Sequence, residues 1–584
     1  MMHRKVVVTG LGIIAPGSIG AEEFWNNASE GKVFTGRLKA FDPEGIRCPV
    51  SAEIEENRAF TVLSEEVKSV HPEGVFSRAQ LLALMAAELA LRDSGLDAAG
   101  LSEEKIHIAV GSTMGIEDSL LKRDPDALSK SDPAALERYT PVNISRALQG
   151  HIKNERSTTR MFMNACAAGN YAIGNAFEEV KSGRATVALA GGVDALSYLA
   201  VVGFNRLLSV TPDLCRPFDK DRRGIVVGEG SAFLLLEDEE HARKRGARIY
   251  ATISGYGLGV DAYHITTPSP DGAGAIQAMM RALKSASLEP GEIAYVSAHG
   301  TGTAANDAAE SKALTSVFGE NKPPMSSIKS MIGHTMGAAS AIEAAACCLM
   351  IKNQEILPTA NFSTPDENCP VDCVPNKSRK AALKHVMSNA LAFGGNNSSI
   401  IFSAADDAAP ASDTAAASKG RAGILFVHTF RHDDPERYLA ENLPETDIRM
   451  VDRQSMLLMA ALWDAMMKNG IDPASLPPES TAIVSGSNHS ALLPSIDFLN
   501  SALEKGPLGI SPMTFPNTVG NAPASRAAIW LGLRNKIICL SDGPLLSGLD
   551  ALLSALEEVN KESEYAWACS LEDDGVVVAL IHRH

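Results

Sequence analysis

Cys166 stands in the stretch Asn164–Ala–Cys–Ala–Ala–Gly–Asn170, between a strand-like run (residues 158–164) and a helical pattern (residues 167–183). A cysteine at such a junction meets the unpaired N–H groups and positive dipole end of a helix, which favour thiolate over thiol. Ala167, Ala168 and Gly169 leave space for a substrate to approach. Two histidines share this kind of placement. His299 closes a strand pattern in the turn AHGTGT (residues 298–303), and His334 precedes a helix start in KSMIGHTMG (residues 329–337), with Lys329 five residues upstream. A single buried cysteine is usually a packing residue. Three such residues at strand-to-helix turns carry more weight, because in open α/β sheets those turns gather at the carboxyl ends of the strands. One thiol with two imidazoles suits acyl transfer.

The elements that must position them alternate. Strands are predicted at residues 5–14, 105–112, 186–196, 230–238, 293–300 and 398–405; helices are predicted at 77–96, with Gly95 at its end, and at 334–353. This is a layered α/β pattern. The composition breaks once, at SAADDAAPASDTAAASKGRAG (residues 403–423), which lacks large apolar residues and reads as a linker. The expected organisation is a domain over 1–403, a linker over 404–421 and a smaller domain over 422–584.

The smaller region repeats part of the larger one. Residues 76–112 align without gaps with residues 451–487, so that Arg78 meets Arg453, Gly95 meets Gly470, Asp97 meets Asp472 and Gly111 meets Gly486. With a small insertion, residues 143–147 fall opposite 522–528, and ACAAGNYAI falls opposite PLLSGLDAL (residues 544–552). Leu545, or Pro544 one residue earlier, then faces Cys166. The C-terminal region reads as half of the first fold without its chemistry.

Bulk composition narrows the function classes. The 584 residues carry a formal net charge of −17, which argues against nucleic acid and anionic membrane surfaces as partners. Nine scattered cysteines suggest neither a disulfide framework nor a metal site and fit a reducing compartment. The N-terminus runs straight into a strand, and no run of about 18 apolar residues could span a membrane, so a cytoplasmic protein is expected. His428 and His432 have metal-like spacing, but with no further ligands they read as solvated loop residues.

The blocks VVVTGLGIIAPG, CRPFDKDRRGIVVGEGSAFLLLE, DAYHITTPSPDGAGA, AHGTGTAANDAAE, KSMIGHTMGAA and SNALAFGGNNSSIIF occur in this order between Lys5 and Ser403. Together they resemble the elongating β-ketoacyl-acyl carrier protein synthases of the Cys-His-His type, which have the duplicated, layered α-β-α-β-α thiolase-like fold. The C-terminal region resembles the N-terminal half of such an enzyme. The resemblance implies a decarboxylative Claisen condensation. Cys166 would take the acyl chain as a thioester. His299 and His334 would hydrogen-bond the malonyl thioester carbonyl and stabilise the enolate formed as carbon dioxide leaves. Backbone N–H groups of Cys166 and Phe393 would hold the oxyanion, and Phe393 would gate the pocket. Lys329 would maintain the field around the pair. Asp307, Glu310 and Glu343 would support it, and Thr301 and Thr303 would bind the phosphopantetheine arm. No metal or resident cofactor is implied, since the pantetheine arrives on acyl carrier protein. A homodimer or a ketosynthase heterodimer is implied, with Met114 and Phe393 setting pocket depth and Arg206 and Lys68 as basic contacts for the carrier protein.

Bottom-up chemistry is consistent with this. Decarboxylation itself generates the carbanion, so hydrogen-bond donors matter more than a strong base. No Gly-x-Ser-x-Gly elbow points to a hydrolase. Three departures stand out. Ala392 replaces a glycine before Phe393, which would stiffen the gate if that position needs an unusual backbone angle. Ala167 follows the nucleophile where Thr or Ser is common. The stretch HIKNERSTTR (residues 151–160) replaces a turn that borders the dimer interface and acyl pocket in the family. These favour a specialised polyketide- or polyene-like pathway over bulk fatty-acid synthesis. Two alternatives stay open: a malonyl decarboxylase or priming enzyme, against which the intact Cys166 argues, and a non-catalytic chain-length-factor-like partner.

Overall fold

The computed structural model describes residues 4–55, 76–97, 100–101, 104–115, 137–154, 156–405, 422–543, 547–572 and 575–583. Within them, fifteen strands of one continuous sheet fall into three units of five. The first unit holds β1 (Val6–Ala15), β2 (Ile106–Gly111), β3 (Thr158–Phe162), β4 (Val187–Asp194) and β5 (Gly230–Asp238). The second holds β6 (Ala251–Val260), β7 (Tyr295–Ser297), β8 (Met325–Ser326), β9 (His385–Ala392) and β10 (Asn396–Ser403). The third holds β11 (Ala422–Phe430), β12 (Thr481–Ser487), β13 (Ile537–Leu540), β14 (Tyr565–Leu571) and β15 (Val576–Arg583).

Every unit has the same order: first, fifth, fourth, second, third. The first two pairings are antiparallel and the last two parallel. Units one and two join through antiparallel β1 and β6, with Val7 opposite Thr252. Units one and three join at the other end, through antiparallel β3 and β13, with Phe162 opposite Leu540. The expected duplicated fold with a smaller C-terminal half-copy is therefore present, and the half-copy extends the sheet of the first unit.

Helices lock onto each unit in the same way. In the first, α1 (Arg78–Ser94) starts at Ser77 in a capping box with Gln80 and stops at Gly95, whose φ of 75° suits a residue without a Cβ. Helix α2 (Ala168–Lys181) follows β3. In the second unit, α3 (Ala273–Ala286) takes the place of α1, and α4 (Gly337–Asn353) takes that of α2. In the third, α5 (Arg453–Lys468), capped by Asp452, and α6 (Ser547–Lys561) do the same. A shared device seats α1 and α3. A Cβ on Gly12 would lie 1.7 Å from the carbonyl oxygen of Ala86, and one on Gly257 would lie 2.2 Å from that of Ala278. Every residue of α4 from Gly337 to Ile351 is buried, as suits a helix apolar all round that packs between strands of the first and second units and against α2.

The predicted strand at 293–300 shortens to Tyr295–Ser297, because the chain leaves the sheet to form the His299 turn. The two C-terminal histidines are not both loop residues. His428 lies on β11 and pairs with Asp464 at 2.8 Å, while His432 stacks on the ring of Phe430. Most of the expected linker (406–421) and Leu545 with Pro544 lie outside the described residues, as does Lys68. The flanking residues agree with the one-residue ambiguity at Leu545. Asn164 and Asp542 match across the β3–β13 joint, whereas Gly111 and Gly486 face Ala168 and Ser547, a register one residue longer. No helix of the described residues is long and apolar enough to cross a membrane.

Candidate active site

Cys166 sits in a 3-10 turn, Ala165–Ala167, between β3 and α2. His334 sits between β8 and α4, which is the same turn of the second unit. The duplication thus places nucleophile and imidazole at equivalent points, just before the starts of the packed helices α2 and α4. His299 comes from the turn between β7 and the helix Ala304–Phe318. Ala165 (φ 48°) and Met336 (φ 52°) adopt left-handed backbone conformations beside these residues, a strain that packed surroundings must hold. Cys166, His299 and His334 line one cavity of about 250 Å³, together with Thr301, Thr303 and Phe393.

Hydrogen bonds fix the state of both histidines. Lys329 Nζ approaches His299 Nδ1 at 3.4 Å as a donor, and the Met336 N–H donates to His334 Nδ1 at 3.2 Å. Each Nδ1 is therefore an acceptor, which leaves the proton of a neutral ring on Nε2. Both rings are held neutral: burial first, then the nearby Lys329 cation, pushes His299 and His334 well below the usual histidine range. The rings stand 5.4 Å apart at 82°. This yields two buried N–H donors at one cavity.

Lys329 and Glu343 form a buried ion pair, each side chain 1% exposed. Glu310 accepts the N–H groups of His299 at 2.7 Å and Gly300 at 2.8 Å, so it shapes the His299 turn without touching the ring. Burial pushes Glu310 up to about 7, against those two bonds. Asp307 accepts the Phe218 and Gly302 N–H groups. The Thr301 and Thr303 hydroxyls lie 3.0 Å apart in the cavity wall.

Two expectations need correction. The helix end does not leave Cys166 as a thiolate. Burial pushes its thiol up to about 12, and the Lys329 cation offsets only part of this. Nor does Ala392 sit in a strained position: its φ of −133° and ψ of 159° are ordinary extended backbone. The left-handed residues of the gate are Gly394 (φ 79°) and Gly395 (φ 71°). Of the weaker candidates, Met114 lies in an apolar cluster with Phe204 and Phe515, beyond the cavity lining. The Arg206 Nε donates to the carbonyl of Ile510 in the third unit.

Sequence reasoning missed several groups. Asp194 accepts the Ser112 hydroxyl and the N–H groups of Thr113, Met114 and Gly337, tying the turn after β2 to the start of α4. Asn164, two residues before Cys166, bonds to Asn396 beside the gate and to Ile537 and Cys539 of the third unit. Phe515 closes an aromatic group with Phe204 and Phe393. Asn164 and Asn396 stand inside the recognised motifs; their amide side chains were the available signal.

The beta-ketoacyl synthase N-terminal domain matches residues 3–242 and again residues 393–542, and the beta-ketoacyl synthase C-terminal domain matches residues 250–363. A 3-oxoacyl-[acyl-carrier-protein] synthase 2 of Synechocystis sp. is 36% identical over 416 residues, covering 68% of this chain and 98% of the relative. A solved structure described as the ishigamide ketosynthase/chain length factor is 38% identical, with a TM-score of 0.65 over 69% of this chain and 99% of that one. A structure described as the PfaC keto synthase-chain length factor, only 15% identical, shares the fold over 99% of this chain and 78% of its own, with a TM-score of 0.79. This chain belongs to the beta-ketoacyl synthase family.

Proposed function

We propose that the three-residue site carries out the β-ketoacyl synthase reaction with Cys166 as the acylated residue and His299 and His334 as enolate-stabilising donors. In the first half-reaction the Cys166 sulfur attacks the thioester carbonyl of an acyl-acyl carrier protein. The Cys166 proton passes to the departing carrier thiolate, and a thioester forms on Cys166. In the second, the C–C bond to the carboxylate of malonyl-carrier protein breaks and carbon dioxide leaves. The electron pair becomes an enolate whose oxygen accepts the two Nε2–H groups. The enolate carbon attacks the acyl-Cys166 carbonyl, whose oxyanion is held by the backbone N–H groups of Cys166 and Phe393. The C–S bond then breaks, and the Cys166 thiolate takes up one proton from solvent. The product is 3-oxoacyl-carrier protein.

The observation that carries this reading is the pair of neutral imidazoles, each with Nδ1 occupied, lining the cavity of Cys166. Preorganised donors of this kind stabilise developing charge without a strong base. Lys329 and Glu343 hold the field, Asp307 and Glu310 hold the turns, and Thr301 and Thr303 contact the phosphopantetheine arm. That arm arrives on the carrier protein, so no resident cofactor is required. The catalytic part is residues 1–403. Residues 422–584 are read as a non-catalytic half-copy, since the repeat sets Leu545, or Pro544, opposite Cys166. The likeness to a putative polyketide beta-ketoacyl synthase of Streptomyces cyaneus, 36% identical, and to a type II PKS ketosynthase solved in complex with its acyl-carrier protein, 33% identical, supports a specialised polyketide-type pathway and an acyl carrier protein as partner. The test is intact-mass analysis with acyl- and malonyl-carrier protein: an acyl adduct absent from Cys166→Ala, followed by a 3-oxoacyl product, supports the reading. Release of acetyl-carrier protein alone would favour the decarboxylase alternative.

A further inference from the structure

The third unit reaches the gate through bonds that bypass the reacting atoms. Asn521 Nδ2 donates to the carbonyl oxygen of Phe393 at 2.8 Å. Asn396 Nδ2, three residues on, donates to Ser525 Oγ at 3.0 Å, and Asn164 Nδ2 donates to Asn396 Oδ1 at 2.9 Å. Asn164 is held in turn by the Ile537 carbonyl and the Cys539 N–H, both at 3.1 Å. All four polar residues, Asn164, Asn396, Asn521 and Ser525, are fully buried. The fit is close: a Cβ on Gly394 would lie 2.2 Å from Ser525 Oγ and 2.8 Å from Asn521 Nδ2. The gate's own side chain is less confined. Phe393 is half-buried, with Phe204 at 5.4 Å and Phe515 at 6.3 Å between ring centres.

We infer that Asn521 and Ser525 of the C-terminal half-copy act as a latch that holds the Phe393 gate loop shut, so that long acyl groups reach Cys166 only when these bonds yield. Asn521 and Ser525 are positioning residues: they touch the gate backbone and its neighbour Asn396, not the reacting atoms. The chain thus carries its own control over access, supplied by a unit without a nucleophile of its own. The glycines at 394 and 395 hold φ values of 79° and 71° and are themselves tied to the second unit, the Gly394 N–H to Ile265 at 2.7 Å and the Gly395 carbonyl to the Asp261 N–H at 2.9 Å, so the anchoring that the third unit adds falls on the Phe393 end of the loop.

This inference rests on Cys166 being the acylated residue, and the test separates the two ideas. The full-length protein and its Asn521→Asp and Ser525→Ala variants are treated with iodoacetamide or with N-decyl iodoacetamide. Adduct formation at Cys166 is followed by intact mass, with Cys166→Ala as the blank. Asn521→Asp keeps the shape but removes the donor to Phe393. The expected result is a rise of about fivefold in the decyl rate, the worth of one hydrogen bond, with the iodoacetamide rate unchanged and the melting temperature held within a few degrees. Ser525→Ala should shift the ratio in the same direction, which keeps the test valid if Asn521→Asp folds poorly. Unchanged decyl rates in a folded variant, or equal acceleration with both reagents, would overturn the latch. Failure of iodoacetamide to label Cys166 in the wild type would overturn the underlying role of Cys166 instead.

Discussion

Asn164 and Asp542 occupy matching positions on either side of the β3–β13 joint. Asn164 Oδ1 accepts the Cys539 N–H at 3.1 Å, and Asp542 Oδ1 accepts the Met161 N–H at 2.7 Å. The strands reciprocate as well, with Met163 N–H bonded to Cys539 and Ser541 N–H bonded to Met161. A local twofold axis therefore relates the catalytic unit to the third one, with an amide on one side and an acid on the other. Burial, with Asp550 beside it, pushes Asp542 up to about 7, while the Met161 N–H and Arg160 pull the other way.

This asymmetry predicts a pH-dependent penalty. A carboxyl raised from 3.8 to about 7 binds its proton more tightly folded than unfolded. Its contribution to stability is complete below about pH 4 and is lost as pH rises through 7. Asp542→Asn, which restores the symmetry, is expected to stabilise the protein by roughly 1–3 kcal/mol at pH 8 and by little at pH 4.5. Urea unfolding at the two pH values measures the difference; an equal gain at both would assign the effect to something other than ionisation.

The histidines and the cysteine should separate by half-reaction. His299→Ala and His334→Ala are each expected to lower malonyl-carrier protein decarboxylation by about 10²–10³, the usual cost of losing one preorganised donor. Iodoacetamide labelling of Cys166 should change little in either. Cys166→Ala should abolish the acyl adduct. Release of radiolabelled carbon dioxide and intact mass report the two steps.

The thiol should behave as a buried, protonated one. With Cys166 pushed up to about 12, its alkylation rate is expected to climb about tenfold per pH unit from pH 7 to 9 without levelling off. A plateau near neutrality would show a preformed thiolate.

Phe515 should limit how long an acyl group fits. It is 1% exposed and packs edge-on against Phe204 at 4.9 Å between ring centres. Phe515→Ala is expected to cost about 3–5 kcal/mol of stability by leaving a cavity. It should also raise kcat/KM for long acyl-carrier proteins relative to short ones by about tenfold. Competition between two acyl chain lengths, read by product mass, checks this; an unchanged ratio would place the growing chain elsewhere.

Much of this could be read from residue order. The caps and glycine stops of α1 and α5, and the strand–turn–helix settings of Cys166, His299 and His334, are local patterns, and local patterns survive in sequence. The repeat between residues 76–112 and 451–487 was visible for the same reason. What lay hidden depends on contacts between distant segments. Nothing local to Asn164 tells that Cys539, hundreds of residues on, comes beside it. Ala392 stands where the family has a glycine, yet the left-handed backbone falls at Gly394 and Gly395, which adopt it without strain. The thiol's protonation could not be read from a helix start alone, since the opposing burial is a property of the whole fold.

The bond from Asn521 to Phe393 joins two segments of one polypeptide. Its occupancy is therefore set by the tether between them and not by mass action between separate chains. Where such a contact is made by a second protein, dilution strips it away and the restraint on the gate changes with concentration. Here the gate and its anchor are diluted together. Every folded molecule carries the contact at the same effective concentration, whether the protein is scarce or abundant.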